Sequence, residues 1–223
     1  MLMEQKYLKK GGLIAFITLL SMTPPLATDL YMPSLPEMTN YYQTTSSVTS
    51  YTMTIFFIFM AIGILILGPM SDKYGRKPVL LGSILVALTF SIICSISPSI
   101  WILIAARAVQ AFGAGGMVAI STALIKDSFE GKEMSNVLSI TQAIVLLAPM
   151  LAPILGAVIL AFFSWKMTFV ALAALFLVSL IGGLLLEETL PQEKRVSGST
   201  FKSILGLTSI VKDKKFTSLL LVV

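Results

Sequence analysis

GPMSDKYGRKP, residues 68–78, gathers Asp72, Lys73, Arg76 and Lys77 into a few positions of a 223-residue chain whose charged fraction is only 12%. The sequence on either side explains the contrast. Charge-free runs cover 11–28, 38–71, 78–106, 108–125, 134–165 and 167–186, each long enough to hold an apolar helix of about 20 residues across a bilayer. The chain is 56% hydrophobic with a mean hydropathy of +0.91, above the about 45–50% apolar share of ordinary globular domains. These runs lack the alternation of a transmembrane strand and are about twice its ten-residue length. The fold class expected is therefore all-α: a polytopic membrane protein with six transmembrane helices, approximately 11–31, 48–69, 78–96, 100–124, 135–160 and 165–186.

Turn chemistry sets the boundaries. Pro33 and Pro36 are expected to end the first span, the polar stretch 41–50 to form an outer loop, and Ser95-Ile96-Ser97-Pro98-Ser99 to make a tight hairpin. The first apolar segment is longer than a signal-peptide core of roughly 7–15 residues, so it reads as a span that is kept. Basic residues fix the orientation, because short cytoplasmic loops retain Lys and Arg. Fourteen of the 16 fall on one side, before span one, between two and three, between four and five, and after six. Only Lys166 lies on the other side, and Arg107 is inside span four. Both ends are accordingly expected in the cytoplasm, with the chain multi-pass in the cell inner membrane and in contact with the lipid bilayer. A nucleic-acid partner is excluded, since the cations do not share one soluble face.

Composition also limits the chemistry. The chain has no histidine, and Cys94 is its single cysteine, so no disulfide within the chain, thiolate cluster or imidazole-bound metal is available. No cofactor, metal or enzymatic activity is expected, and proton handling falls to carboxylates. Beyond Leu186 a polar stretch reads as a cytoplasmic linker over 191–215. Within it Phe201, Ile204, Leu205 and Val211 have the spacing of a surface helix or an ordinary linker helix. FTSLLLVV, 216–223, reads as the start of a seventh helix following the six-helix bundle of 1–190.

In the opening stretch, G-x-x-x-D-x-x-G-R-K occupies Gly68, Asp72, Gly75, Arg76 and Lys77. Gly75 suits a turn closed to larger residues, Asp72 is an acceptor able to face a helix N-terminus, and Arg76 and Lys77 suit anionic headgroups. The pattern resembles the signature loop between helices two and three of the major facilitator superfamily. RAVQAFGAGG, 107–116, resembles that superfamily's Arg-x-x-Gln-Gly pattern with Ala111 in place of glycine. APMLAPILG, 148–156, with Pro149, Pro153 and Gly156, resembles the helix-five motif of drug:proton antiporters, and SWKMTF, 164–169, the start of helix six. TDLYMPSLP, 28–36, resembles the end of helix one in the bicyclomycin and chloramphenicol resistance (Bcr/CflA) branch.

The resemblance implies the N-terminal half of a transporter made of two six-helix halves that rock about a central cavity. A missing C-terminal half would then be required for a complete transporter. The function implied is proton-coupled efflux of small amphiphilic drugs, with a small-molecule drug substrate and protons as partners. The alternatives are a metabolite or amino-acid exporter of the same superfamily and a truncated, non-transporting membrane subunit.

An ionised side chain at a helix centre costs about 2.5–3.5 kcal/mol on insertion scales and faces a polar interior. Asp29 and Arg107 are the charges inside the spans, and their positions along oppositely directed helices put both in the outer part of the membrane, where they could meet across a cavity. Asp29 is expected to carry or sense the proton, and Arg107 to tune and orient it. Tyr31, Tyr51, Phe56, Met60, Gln110, Phe112, Gln142 and Met150 are the candidates for a broad, adaptable substrate cavity. Asp72 and Arg76 are expected to latch the cytoplasmic side.

Overall fold

The computed structural model describes residues 7–195. The expected surface helix and seventh-helix start lie outside the described residues, as does all of the linker but its first five positions. Among the described residues there are eight α-helices and no strand: α1 Lys10–Ser21, α2 Thr23–Asp29, α3 Leu35–Tyr41, α4 Ser46–Tyr74, α5 Arg76–Ser95, α6 Ile100–Ser128, α7 Gly131–Phe162 and α8 Lys166–Leu185. α4 to α8 are each long and apolar enough to cross a membrane, and the segment Lys10–Tyr41 is so as well when its two parts, bent by 41°, are taken as one broken span.

The first span, expected over about 11–31 and ended by Pro33 and Pro36, is instead broken and runs on to Tyr41. Thr23-Pro24-Pro25 supplies two consecutive residues without an amide N–H, so the bond ladder of α1 cannot continue and the chain restarts as α2. A second break follows Asp29, where a single 3-10 turn, Met32–Ser34, leads into α3. Pro33 and Pro36 thus sit in the first turns of new helical segments, where a missing N–H costs nothing. The outer loop is shorter than expected, because α4 begins at Ser46 with the Thr45 hydroxyl accepting from the Val48 N–H. The Ser95–Ser99 hairpin forms as expected, with Ser99 capping α6.

α6 is the axis of the bundle. Its Gly113 and Gly115 let α5 and α4 approach to backbone contact: a Cβ on Gly113 would lie 2.6 Å from the Ser83 carbonyl oxygen, and one on Gly115 would overlap the Met60 carbonyl. Larger residues there would force the helices apart, so close packing rather than a hydrophobic drive sets this geometry. α8 packs on α5, with Gly183 facing Leu81 and Ile84. α7 lies against the broken first span and stays helical through Pro149 and Pro153. The two prolines remove ladder donors without ending the helix, an accommodation available to membrane helices.

Candidate functional site

The break after Asp29 positions the first part of the site. Since α2 stops there, its last carbonyls lack intrahelical partners, and the Ala27 carbonyl accepts a hydrogen bond of 3.0 Å from Nη2 of Arg107 on α6. Nη1 of Arg107 donates to Oε1 of Gln110 at 2.7 Å, one turn along the same helix, and Gln110 in turn donates to the Ser91 hydroxyl of α5. The guanidinium lies 4.4 Å from the ring centre of Tyr31 and 4.3 Å from that of Phe56, with Phe169 at 5.7 Å. Tyr31 is held by a 3.0 Å bond between its hydroxyl and that of Thr52. Arg107 is completely buried, and its Nε–H has no partner among the described residues.

The two charges expected within the spans are therefore brought to neighbouring positions without pairing. Asp29 is half-buried two residues beyond Ala27, and the Thr28 hydroxyl donates to its Oδ1 at 3.0 Å. No ion pair joins it to Arg107. Ring faces and neutral oxygens hold the cation instead, an arrangement in which the aromatic quadrupoles replace part of its hydration.

The expected cavity residues divide into three groups. Tyr31, Phe56 and Gln110 gather round Arg107. Met60 and Phe112 are partly buried where α4 crosses α6, and the Phe112 carbonyl faces Gly63. Tyr51 on α4, and Gln142 and Met150 on α7, lie on the exposed surface of the bundle. Gly156 joins the helix-five motif to the first site: a Cβ there would overlap the Leu30 carbonyl, so α7 is pressed against the break that frees Ala27.

A second cluster forms at the basic end of the helices. Gly75 adopts φ +106°, the region open to glycine, and turns α4 sharply into α5. Arg76 is not free to meet headgroups, a correction to the expectation drawn from the loop alone. It is 7% exposed, with Nη1 2.5 Å from Oδ1 of Asp72 and Nε 2.9 Å from Oδ2 of Asp127. The Ser71 hydroxyl accepts a further bond from Nη1 at 2.7 Å. Lys77 is also engaged, donating from Nζ to the Leu184 carbonyl at 3.0 Å.

The N-terminus of α5 is capped from a distance. Oε1 of Glu188, beyond α8, accepts from the backbone N–H of Arg76 at 2.8 Å, and Oε2 accepts from that of Lys77 at 3.3 Å. A carboxylate there satisfies orphan amides and meets the positive end of the helix dipole. Arg195 stands 3.7 Å from the same carboxylate, and the Thr189 hydroxyl donates to Asp127 at 3.4 Å. Glu188 and Asp127 were not found from the sequence. The available signal was charge balance, since acids at the basic end are the natural partners of a buried Arg76.

Comparison with known proteins bears on both clusters. The family model described as Major Facilitator Superfamily matches residues 13–223. An uncharacterized MFS-type transporter of Bacillus subtilis, YdgK, is 38% identical over 91% of this chain and 52% of its own length. A bicyclomycin resistance protein homolog of Haemophilus influenzae is 36% identical over 84% of this chain and 48% of its own. A chloramphenicol resistance protein of Pseudomonas aeruginosa is 33% identical, over 71% and 39% respectively. The chain thus spans about half the length of the curated relatives it matches. The crystal structure of the human organic anion transporter MFSD10 superimposes with a TM-score of 0.69 over 87% of this chain and 52% of that one, at 22% identity, a likeness of fold.

Proposed function

The chain belongs to the major facilitator superfamily, and on that premise we propose that it forms one half of a proton-coupled exporter of small amphiphilic drugs in the cell inner membrane. Relatives named for bicyclomycin and chloramphenicol resistance support the drug class. The observation that carries the coupling is Arg107, fully buried and held by rings and neutral oxygens beside the half-buried Asp29. The carboxylate stands near a fixed cation without an ion pair to it, and the coupled proton is assigned to it. When Asp29 is protonated, the neighbourhood holds one net positive charge. When it is ionised, the charges balance, and a short rearrangement at the α2 break would bring them together.

Tyr31 and Phe56, completely buried on the guanidinium in this conformation, would meet an aromatic or amphiphilic substrate once the helices around the α2 break part. At the other end, the Asp72–Arg76–Asp127 cluster would latch the cytoplasmic side. Here the required second half completes the cavity, and drug and protons are its small-molecule partners.

The test uses cells expressing the full-length transporter that contains this half. Chloramphenicol accumulation is expected to be lower than in cells without it while the proton gradient stands, and to rise to the same level after an uncoupler is added. Persistence of the difference after gradient collapse, with loss on ATP depletion, would overturn proton antiport.

A further inference from the structure

α4 and α5 both press on α6 and leave between them a groove of about 310 Å3 below the Gly75 turn. Met70 and Tyr74 form one wall, Pro78, Gly82 and Val86 the other, and Phe112 part of the floor. The lining is almost wholly apolar. Its one buried hydroxyl, that of Ser83, is already donated to the Val79 carbonyl at 2.7 Å. From Pro78 to Val86 the groove follows α5 for about 12 Å, close to one leaflet of a hydrocarbon core about 30 Å thick. It begins at the basic end of the bundle, which the charge bias assigns to the cytoplasm.

A lysine stands at the mouth of the groove. Tyr74 is half-exposed there, with Nζ of Lys73 lying 5.2 Å from its ring centre. Arg76 is consumed by Asp72 and Asp127, and Lys77 by the Leu184 carbonyl, whereas Lys73 makes no ion pair among the described residues. We propose that this groove is a binding site for an anionic phospholipid of the cytoplasmic leaflet, with one acyl chain against Met70, Gly82 and Val86 and the phosphate at Lys73. Apolar depth, leaflet length and a lysine without an ion pair at headgroup level together favour that occupant.

Gly82 supplies a selective probe, since a Cβ built there meets no atom within 4 Å. Gly82→Leu therefore starts from open space and is expected to project into the groove. The full-length transporter that contains this half is purified in mild detergent, mixed with phosphatidylglycerol or phosphatidylcholine, and analysed for retained lipid by native mass spectrometry. Wild type is expected to hold one phosphatidylglycerol and to prefer it about fivefold or more over phosphatidylcholine, as a headgroup charge contact implies. Gly82→Leu is expected to lose most of the bound lipid, and Lys73→Gln to bind both lipids alike. Gly82→Met, smaller in girth, is measured alongside, with circular dichroism and gel-filtration position as checks of folding.

Equal retention of the two lipids by wild type overturns the proposal. So does undiminished phosphatidylglycerol on whichever Gly82 variant is folded. Failure of both Gly82 variants to fold would also overturn it, because the open space assigned to the lipid would then be needed for packing. Groove-dependent binding of chloramphenicol in place of phosphatidylglycerol would make this a drug site and equally refute the lipid assignment.

Discussion

Arg107→Ala is expected to abolish gradient-driven export, and Arg107→Lys to retain part of it. Alanine removes a guanidinium lying on the Tyr31 and Phe56 rings at 4.4 and 4.3 Å, a contact worth about 2 kcal/mol or more when desolvated. It also leaves the Ala27 carbonyl and the Gln110 Oε1 without their donor, at about 1–3 kcal/mol for each buried group left unpaired. The loss falls on the segment that carries Asp29, so geometry and charge fail together. Lysine restores the cation but not the planar fork that reaches both oxygens while stacking on two rings. Drug flux per folded transporter, with folded protein counted by gel filtration, is the measurement. A flux from Arg107→Ala within about twofold of wild type, a barrier change of only about 0.4 kcal/mol, would exclude this role.

The second large effect is expected at Arg76. Its side chain is 9% exposed between the carboxylates of Asp72 and Asp127, which are 43% and 18% exposed. Arg76→Ala leaves two acids facing one another without a cation. Removing one partner of a fully buried pair costs about 3–5 kcal/mol, and the exposure of Asp72 lowers the figure here to about 2–3 kcal/mol. For a chain of this size that corresponds to a fall of about 5–10 °C in the thermal midpoint measured in detergent. Asp72→Asn is expected to cost less, because Arg76 keeps Asp127 and the Ser71 hydroxyl. It should instead increase cysteine labelling from the cytoplasmic side, as a weakened latch lets the transporter dwell open inward. A larger loss of stability from Asp72→Asn than from Arg76→Ala would contradict the placement of Arg76 at the centre of this cluster.

The span pattern, the turn at Gly75 and the position of Arg107 inside a span-length helix were legible because each depends on local facts: an apolar run, a residue without a Cβ, a charge in a helix. The link between Arg107 and Gln110 follows from their spacing on one helix face. The cage was not legible, since Tyr31, Phe56 and Phe169 come from a broken helix and two separate spans, and no local rule brings them together. Thr23-Pro24-Pro25 carried the signal for the bend, but the apolar run concealed it. Tyr51, Gln142 and Met150 lie on the exposed surface of this half, and because α4 and α7 are apolar around much of their girth, the sequence does not reveal which of their faces would turn toward a second half. Arg76 was read as a headgroup contact because, beyond Asp72 four residues before it, its acids lie 51 positions away at Asp127 and, for its backbone, 112 away at Glu188.

Coupling through Asp29 is tested most directly in vesicles reconstituted with the full-length transporter, under an imposed pH gradient, with drug flux and proton movement recorded together. Asp29→Asn keeps the shape and polarity of the side chain and deletes its titration. The expected result is that gradient-driven drug flux and its associated proton movement both disappear while binding of neutral drugs is preserved. Wild-type flux with wild-type proton stoichiometry in Asp29→Asn would contradict the assignment and place the coupling carboxylate outside this half of the transporter.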